Sequence, residues 1–418
     1  MSTLAKTYAL ACGVPLSKPT IFEQFFPLDW PVDKIILLHA GGGQRDEKGQ
    51  PLFSAKIYDH FDEVVRLITP QIEKAGYKIY QIGGPSESGV SGAVNLCGQT
   101  TVKQTAYLLN RCALFIGNDS MNAHIAGSMM IPMVVLYGPT DPKNHGPEWC
   151  DPAVTILIES HRFGAKRPSY ASNEPIKTIN AIPPEQVANA ALGLLGLENV
   201  RRKSLFFGSI YRNQILEIIP DTQLRPEFFP NVGIAIRMDY FHNESGLIAN
   251  LSQRKSSIFL DRPINLDIFK TFRSNVVFVR IKVTEHITPK FIKDIARIGI
   301  PFSCFTEEHD PVKLKKLRYD FFDVCLIDEA RDNTAELFWE QADKYLNTKL
   351  DRNLNLSELT YCSNKYLISG KGIYLNKAAY DKNLSIPNLG ENHQTIGELA
   401  NSPDFWKEIQ HYYIYKKE

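Results

Sequence analysis

The sequence lacks several features that would place it in a class of protein at once. Its net charge is only +1, from 47 Lys and Arg against 46 Asp and Glu, and no block of like charges forms a tail. This balance excludes the strongly basic surface of a protein that binds long nucleic acids without sequence preference. No apolar run approaches the roughly 20 residues of a membrane-spanning helix. The 418 residues predict a globular protein of about two to three domains.

The cysteines are also few, and they form no recognisable site. All seven are scattered along the chain, and none belongs to a C-x-x-C pair. An odd, scattered set is typical of reduced thiols, so it predicts neither a disulfide framework nor a zinc site. The apolar stretch at residues 8–14 is short and soon meets Pro15 and Pro19, unlike a secretory signal. We therefore expect a cytoplasmic protein with no transmembrane segment.

What the sequence does contain, in its first half, is an alternation of strand and helix patterns. The predicted strands, which are short apolar runs, are residues 34–39, 78–82, 114–117, 132–137 and 154–158. The predicted helices, which have an apolar stripe, are residues 56–76, 102–109, 119–129 and 184–195. Strands without polar alternation, separated by helices, are typical of a parallel sheet covered on both faces. We expect this α/β domain to occupy residues 31–198.

The second half repeats the alternation less regularly. The predicted strands are residues 232–238, 257–260, 276–281, 301–305 and 324–327. One helix begins at Thr288-Pro289, a favourable start, and another lies around residues 311–321. These patterns predict a second α/β domain at residues 205–345. A C-terminal extension at 346–418, with a hairpin at 365–375 and terminal helices, is expected to pack on that domain.

Residues 96–147 place polar and glycine residues at the ends of predicted strands. The strand at 114–117 ends at Asn118-Asp119, and Ser120 can cap the helix that follows. A helix N-terminus at the carboxyl end of a parallel strand favours anions, and ligands of open α/β sheets bind at that edge. His124 lies one turn deeper on the same helix face. Gly138 to Asp141 end the adjoining strand and can reach the same edge.

These residues resemble the C-terminal domain of heptosyltransferase-like glycosyltransferases, family 9, which use nucleotide-sugar donors. The family pattern N-D-[ST]-G-x-x-H-[LI]-A resembles residues 118–126, and G-[VI]-P-x-[VI]-x-[LI]-[FY]-G-P-T resembles residues 130–140. Four further motifs occur in the family's order. They are L-H-A-G-G-G at 38–43, K-I-Y at 56–58, G-G-P-S-E at 83–87 and L-C-G-Q-T at 96–100. The resemblance covers about residues 30–195.

The resemblance implies a GT-B-like fold whose Rossmann-like first domain binds the donor. The implied donor-binding residues are Gly41, Gly42, Gly43, Lys56, Glu87, Asp119, Ser120, Asn122, His124, Pro139, Thr140 and Asp141. Among them Lys56 would neutralise the diphosphate, and Glu87 would bind the ribose. The implied reaction transfers a sugar from a nucleotide-diphosphate sugar to a hydroxyl acceptor, with inversion. It needs no metal or other cofactor, and the sequence contains no D-x-D motif.

Two departures from the family pattern keep alternatives open. Met121 replaces a glycine that would allow the backbone to approach a ligand closely. In the family, an acceptor domain precedes the donor domain, whereas here only residues 1–30, which resemble the family's linker, precede the first strand. The second domain either supplies the acceptor site, as a permuted GT-B arrangement, or is an unrelated addition.

The catalytic base and the partners follow from the same resemblance. A carboxylate at a strand end can deprotonate an acceptor hydroxyl. Asp239, after residues 232–238, is the first candidate and Asp261 the second; both are equally compatible with an ordinary turn. The acceptor expected first is a glycan, and the alternatives are a protein or a modified base in DNA. The alternative function is a non-catalytic module that binds a nucleotide or glycan. A subunit that needs a separate acceptor-domain partner is a third hypothesis, which leaves an oligomer open.

Overall fold

The computed structural model describes residues 3–42, 46–47, 51–208, 210–211, 214–225, 227–229, 232–330, 340, 355–386 and 403–417. The chain divides into two compact units, the first up to Ser204 and the second beginning at Leu205. The first is a Rossmann-like parallel-sheet domain and the second is also α/β, as the predicted fold class has it. In the described ranges, no helix has the length and apolar character needed to cross a membrane.

The first unit is built on a six-stranded parallel sheet. Its strands are β1 Ile35–His39, β2 Lys78–Gln81, β3 Val94–Asn95, β4 Leu114–Asn118, β5 Met133–Tyr137 and β6 Thr155–Glu159. Their order is β3-β2-β1-β4-β5-β6, and all neighbours are parallel. Every residue of β1, β4 and β5 is buried, because these apolar runs are covered on both faces.

Helices cover both faces of this sheet. The helices that pack on it are α2 Phe61–Lys74, α3 Val102–Leu109, α4 Met121–Ser128 and α6 Pro184–Leu194. The unit also contains α1 Leu4–Ala11 and α5 Pro142–His145, which have no buried residue. Ile36 and Leu38 of β1 pack in one core with α2 and α6, whereas Ile35 and Leu37 pack in the other with α3 and α4. Gly196 adopts a φ of 67° just beyond α6, as expected of a glycine that ends a helix.

The helix predicted at residues 56–76 is interrupted. A short 3-10 helix occupies Ser54–Lys56, and α2 begins only at Phe61. Contacts with residues distant in the sequence hold the chain between them in a non-helical form. The Tyr58 hydroxyl donates to the Ile182 carbonyl at 2.7 Å, and the Asp59 N–H donates to Asn180 Oδ1 at 2.9 Å. Lys56 therefore does not belong to α2, although the apolar periodicity predicted that it would.

The second unit contains an eight-stranded sheet in the order β13-β12-β11-β10-β9-β8-β15-β16. Its strands are β8 Ile215–Ile218, β9 Ile234–Arg237, β10 Ser256–Leu260, β11 Val276–Lys282, β12 Phe302–Thr306, β13 Ile327–Glu329, β15 Lys365–Ser369 and β16 Gly372–Tyr374. β15 and β16 form the predicted antiparallel hairpin, and the other neighbours are parallel. The strand predicted at 324–327 was misplaced, because Val324 closes a turn by donating to the Phe321 carbonyl.

The described part of the second half also contains helices and a third sheet. The helices are α7 Glu244–Leu251, α8 Leu266–Thr271, α9 Pro289–Ile298, α10 Pro311–Asp320, α11 Lys377–Asp381 and α12 Pro403–Trp406. A third sheet, in the order β14-β17-β7, contains β7 Arg202–Phe207, β14 Thr360–Ser363 and β17 Tyr412–Lys417. The prediction of terminal helices was therefore wrong after α12, where the chain forms a strand with buried aromatic side chains. β17 forms because its tyrosines pack inward and its backbone pairs with β14.

Candidate functional site

A cavity of about 390 Å³ opens where the strand order of the first sheet changes direction. The chain moves from β1 to β2 on one side and returns to place β4 on the other side of β1. Such a switch point leaves a crevice at the carboxyl ends of the two central strands. The lining residues, all in the first unit, are His39, Gly42, Phe53, Lys56, Gly83, Gly84, Glu87, Thr100, Val102, Thr105, Asp119, Ser120, Met121 and Asn122.

Asp119 is held from two sides by residues of other elements. Its Oδ2 accepts a hydrogen bond from Lys56 Nζ at 2.7 Å and another from the Thr140 hydroxyl at 2.9 Å. Asp119 and Thr140 are buried, while the Lys56 side chain remains 25% exposed. We call Lys56, Asp119 and Thr140 the Asp119 triad. Its cation is therefore fixed at the cavity wall and still reachable by an anion.

Ser120 behaves differently from the expected helix cap. It occupies the position before α4 with extended backbone (φ −153°, ψ 169°), but its hydroxyl makes no capping hydrogen bond. Instead, Ser120 Oγ lies 3.0 Å from His39 Nδ1 at the end of β1. The side chain therefore joins the two central strand ends and does not occupy the N-terminus of α4, which begins at the cavity wall.

Glu87 is buried against glycine backbone. Its Oε1 lies 3.7 Å from His39 Nε2. A Cβ atom built on Gly41 or on Gly83 would overlap the Glu87 carboxylate, so both glycines make room for it. Burial, and then the Glu87 charge, raise the pKa of the neighbouring Cys97 to about 11.

The other glycines of the loop after β1 fall into two cases. A Cβ on Gly42 would come within 2.8 Å of Ile57 Cγ1 and 2.9 Å of the Phe53 carbonyl oxygen. Gly42 therefore lets this loop pack closely against residues 53–57, next to Lys56. Gly43, the last glycine predicted to bind the donor, lies outside the described residues.

The remaining donor-site candidates, His124, Pro139 and Asp141, are not among the residues that line the cavity. His124 is exposed on α4; partial desolvation, then Lys56 and His145, lower its pKa, and Asp119 opposes them. Pro139 is buried, and its carbonyl accepts from the Tyr170 N–H at 2.9 Å. Asp141 caps α5 by accepting from the Lys143 N–H at 2.9 Å. These hydrogen bonds give Pro139 and Asp141 a structural role, whatever they do toward a ligand.

A loop after β6 supports the β5 side of the site. The buried Arg162 donates through Nε to the Gly138 carbonyl at 2.8 Å and through Nη2 to the Thr140 carbonyl at 3.0 Å. Its backbone is left-handed (φ 51°), as is that of Phe163 (φ 50°) and Gly164 (φ 88°). For the two non-glycine residues this conformation costs about 1–2 kcal/mol each.

The two candidate bases lie in the second unit and both form ion pairs. Asp239 accepts from Arg237 through both oxygens, at 2.9 and 2.7 Å. Asp261 accepts from the neighbouring Arg262 at 3.1 and 3.3 Å. The Asp239 side chain is 8% exposed, and the Asp261 side chain is 20% exposed. Within the described residues, no group of three or more His, Cys, Asp or Glu side chains is arranged to hold a metal ion.

Comparison with known sequences agrees with the motifs around the cavity. Residues 52–169 match the model of glycosyltransferase family 9 (heptosyltransferase). The family resemblance predicted from the motifs is confirmed. Lipopolysaccharide heptosyltransferase 3 of Escherichia coli is 29% identical over 204 residues, or 44% of this chain and 58% of that protein. Lipooligosaccharide heptosyltransferase 2 of Haemophilus influenzae is 38% identical over 82 residues, or 18% and 23% of the two chains.

The chain thus spans less than two thirds of the length of these curated relatives. Among solved structures, a family 9 glycosyltransferase from Veillonella parvula shares 21% identity with a TM-score of 0.31, covering 46% of this chain and 50% of that one. The ADP-heptose heptosyltransferase II of Escherichia coli shares 19% identity with a TM-score of 0.28, covering 47% and 52%. Sequence similarity, and not these structural matches, supports the family 9 resemblance.

Met121 marks where this chain differs from family 9 within the site. It stands at the first residue of α4, where the family pattern has glycine, and its side chain is 54% exposed and lines the cavity. The helix start therefore carries a flexible apolar side chain at a position where the family pattern has none. A ligand that contacts the α4 N-terminus must displace or accommodate that side chain.

Several residues of the site were missed as candidates. His39 stands inside the L-H-A-G-G-G motif, so the motif contained enough information to include it. The wholly buried Asn118 donates to the Ala40 carbonyl at 3.1 Å and thereby links β4 to the loop after β1. Thr105 and Arg162 belong to no quoted motif, and only the fold brings them to the site.

Proposed function

We propose that the first unit binds a nucleotide-diphosphate sugar at the switch-point cavity and that the protein transfers the sugar to a hydroxyl acceptor. The observation that supports this most directly is the Asp119 triad beside the start of α4. A diphosphate brings concentrated negative charge, which a fixed Lys56 cation and the positive end of a helix can both attract. These groups come from motifs that the family 9 model covers.

In this proposal, each part of the site has one task. Lys56 neutralises charge on the departing diphosphate, and Asp119 and Thr140 hold its ammonium group in place. His39 and Ser120 tie the ends of β1 and β4 together, so that the cavity wall keeps its shape. Fixed donors aimed at developing charge lower the barrier without reorganising during the reaction.

We further propose that the transfer inverts the anomeric centre and proceeds without a metal. A base takes the proton of the acceptor hydroxyl, and the oxygen attacks the anomeric carbon from the side opposite the diphosphate. The bond between that carbon and the phosphate oxygen then breaks, and its electron pair leaves with the diphosphate. Asp239, which is paired with Arg237, and Asp261, which is paired with Arg262, remain the candidate bases.

The acceptor and the setting of the reaction stay predictions. A glycan is the proposed acceptor, with a protein or modified DNA base as alternatives, and the second unit is proposed to supply its site. The heptosyltransferases named above suggest that lipopolysaccharide-like glycans should be tried first. We also propose a cytoplasmic location, and the sequence leaves an oligomer open.

The decisive experiment measures donor binding by the wild type and the Asp119→Ala variant. Thermal unfolding is followed with ADP-, UDP-, GDP-, CMP- and dTDP-linked sugars. A ligand at about 100 times its dissociation constant adds roughly 2.7 kcal/mol, a shift of several degrees. We expect a shift with one nucleotide class, lost in Asp119→Ala. The control is Asp151→Ala, which removes a carboxylate of the first unit that only caps a turn through Ala153.

A second candidate function, a non-catalytic binding module, is favoured by Met121. It adds a side chain to the cavity wall at a position where the family pattern has none. In that case the donor still shifts the unfolding temperature, but neither hydrolysis nor transfer of the sugar is detected with any glycan acceptor. Turnover that disappears in Asp119→Ala excludes the module. If no nucleotide sugar binds at all, the transferase and a nucleotide-binding module are both wrong, and only a glycan-binding module is left.

A further inference from the structure

Arg162 is a buried cation with acceptors on three sides. Only 7% of the residue is exposed. Besides the Gly138 and Thr140 carbonyls, its Nη2 donates to Glu159 Oε1 at 2.7 Å. Burying a guanidinium is costly unless its hydrogen bonds are made, so these acceptors fix its orientation. The planar group therefore acts as a rigid connection between the end of β6 and the loop after β5.

The loop that Arg162 holds belongs to the Asp119 triad. Thr140 contributes its carbonyl to Arg162 and its hydroxyl to Asp119 Oδ2. Arg162 is thus connected to Lys56 through Thr140 and then through the Asp119 carboxylate. Without the guanidinium, the buried carbonyls of Gly138 and Thr140 would lose the hydrogen bonds that Arg162 donates to them. The loop would then shift, and the Thr140 hydroxyl would leave Asp119.

The backbone around Arg162 is strained, and local hydrogen bonds maintain the strain. The Arg162 N–H donates to Ser160 Oγ at 2.9 Å, and the Arg162 carbonyl accepts from the Ala165 N–H at 3.0 Å. Consecutive left-handed residues of this kind persist where the surroundings over-determine them, typically beside functional sites. Farther along, the same loop contacts the segment before Lys56, because the Ala55 N–H donates to the Ser172 carbonyl at 3.0 Å.

We infer that Arg162 is a positioning residue, which sets the affinity of the cavity for a nucleoside diphosphate by fixing the Asp119 triad through Thr140. This role rests on the proposed function. Arg162 does not line the cavity, so it acts on the ligand only through the loop after β5. Because the connection is one of hydrogen bonds and not of charge alone, Arg162→Lys would restore it only in part.

The test is a double-mutant cycle measured by calorimetric titration, with ADP, UDP, GDP and dTDP as the probes. Arg162→Met and Thr140→Val are each expected to weaken the nucleoside diphosphate that the wild type binds by about tenfold. The double variant should be no weaker than either single variant, because both changes break the same path. Arg162→Lys should bind with intermediate affinity. The inference would be overturned if the two single-variant losses of affinity multiplied in the double variant, or if Arg162→Met bound with wild-type affinity. Either result would leave the proposed function intact.

A matched control separates positioning from general loss of stability. Arg202 is likewise a buried arginine of the first unit, paired with Glu63, and it does not line the cavity. Arg202→Met should lower the unfolding temperature but leave nucleoside diphosphate affinity within about twofold at a temperature where every variant is folded. If Arg202→Met weakens binding as much as Arg162→Met, Arg162 has a merely structural role and the inference is wrong.

A readout without ligand keeps the inference testable if the proposed function fails. The acetylation rate of Lys56 by dilute acetic anhydride, followed by mass spectrometry, reports how firmly its ammonium group is held by Asp119. We expect faster acetylation in Arg162→Met and in Thr140→Val, and the wild-type rate in Arg202→Met. A wild type that binds no nucleoside diphosphate refutes the proposed function alone. An unchanged Lys56 rate in Arg162→Met refutes the positioning role.

Discussion

The two units place their polar side chains in opposite ways. In the first, polar groups stand at the carboxyl ends of β1 and β4 and face a cavity. In the second, Glu217, Arg237 and Lys365 lie inside the unit, each less than 10% exposed, on otherwise apolar strands. Lys365 Nζ is 2.9 Å from Glu217 Oε1, and Arg237 Nη1 is 2.7 Å from Glu217 Oε2. The charges of the second unit thus satisfy one another inside the sheet, whereas those of the first line a cavity.

The largest loss of stability is expected from breaking the buried ion pairs of the second unit. Lys365→Met removes the cation between Glu217 and Glu408, whose Oε1 lies 2.8 Å from Lys365 Nζ. A buried carboxylate without its partner destabilises a protein by about 3–5 kcal/mol. Denaturant unfolding should show this loss for the second unit, and adding Glu408→Gln should recover part of it. The control is Lys371→Met, which changes an exposed lysine. If Lys365→Met lost as little stability as this control, the buried ion pairs would not stabilise the unit.

A smaller but more selective effect is expected in the first unit. Gly41→Ala places a Cβ against the Glu87 carboxylate, which is the movable end of a side chain. The carboxylate should therefore swing away, with little change in stability but a loss of about tenfold in donor affinity, or roughly 1.4 kcal/mol. Calorimetric titration and thermal unfolding measure the two quantities separately.

Gly193→Ala provides the matched control for this substitution. Gly193 lies inside α6, and nothing stands within 4 Å of a Cβ built there. Alanine should stabilise the helix by about 0.5–1 kcal/mol and leave donor affinity unchanged. Equal donor affinity in Gly41→Ala and Gly193→Ala would show that Glu87 has no part in donor binding.

A further effect concerns the pH dependence of the second unit and is confined to acid solution. Burial, followed by Lys365, lowers the pKa of His411 to about 4, and Glu217 opposes this. The unfolded chain, with a His pKa of about 6.5, binds the proton that the folded unit excludes, so stability falls as the pH drops from about 6.5 to 4. His411→Gln should flatten the unfolding temperature of the second unit across that window. An unchanged slope would mean that other groups dominate there.

The sequence predicted the first unit better than the second, for a physical reason. Strands such as β1 and β5 are continuous apolar runs, which identify a parallel sheet from their pattern alone. β8, by contrast, is four residues long and includes the buried Glu217, so its pattern resembles a loop and it was missed. β17 was missed as well, because its consecutive tyrosines lack the alternation of a half-buried strand.

The candidate site was predictable to the extent that motifs mark it. Lys56, Asp119 and Thr140 were each chosen from separate motifs, and the structure brings them into direct contact. No local pattern pointed to Arg162, since its contacts depend on how the loop after β6 folds back over β5. The Ser120 hydroxyl was assigned to the helix because a cap is the commonest local role for serine, whereas His39 competes for it from 81 residues away.

The space around Glu87 has a consequence for how this fold can change over evolutionary time. Gly41 and Gly83 come from different loops, yet each is required to be small by the same carboxylate. In an alignment of relatives, these three positions should therefore vary together. Lineages that keep a glutamate at position 87 should retain both glycines, and side chains should enter positions 41 and 83 only where that glutamate has been replaced by a shorter residue.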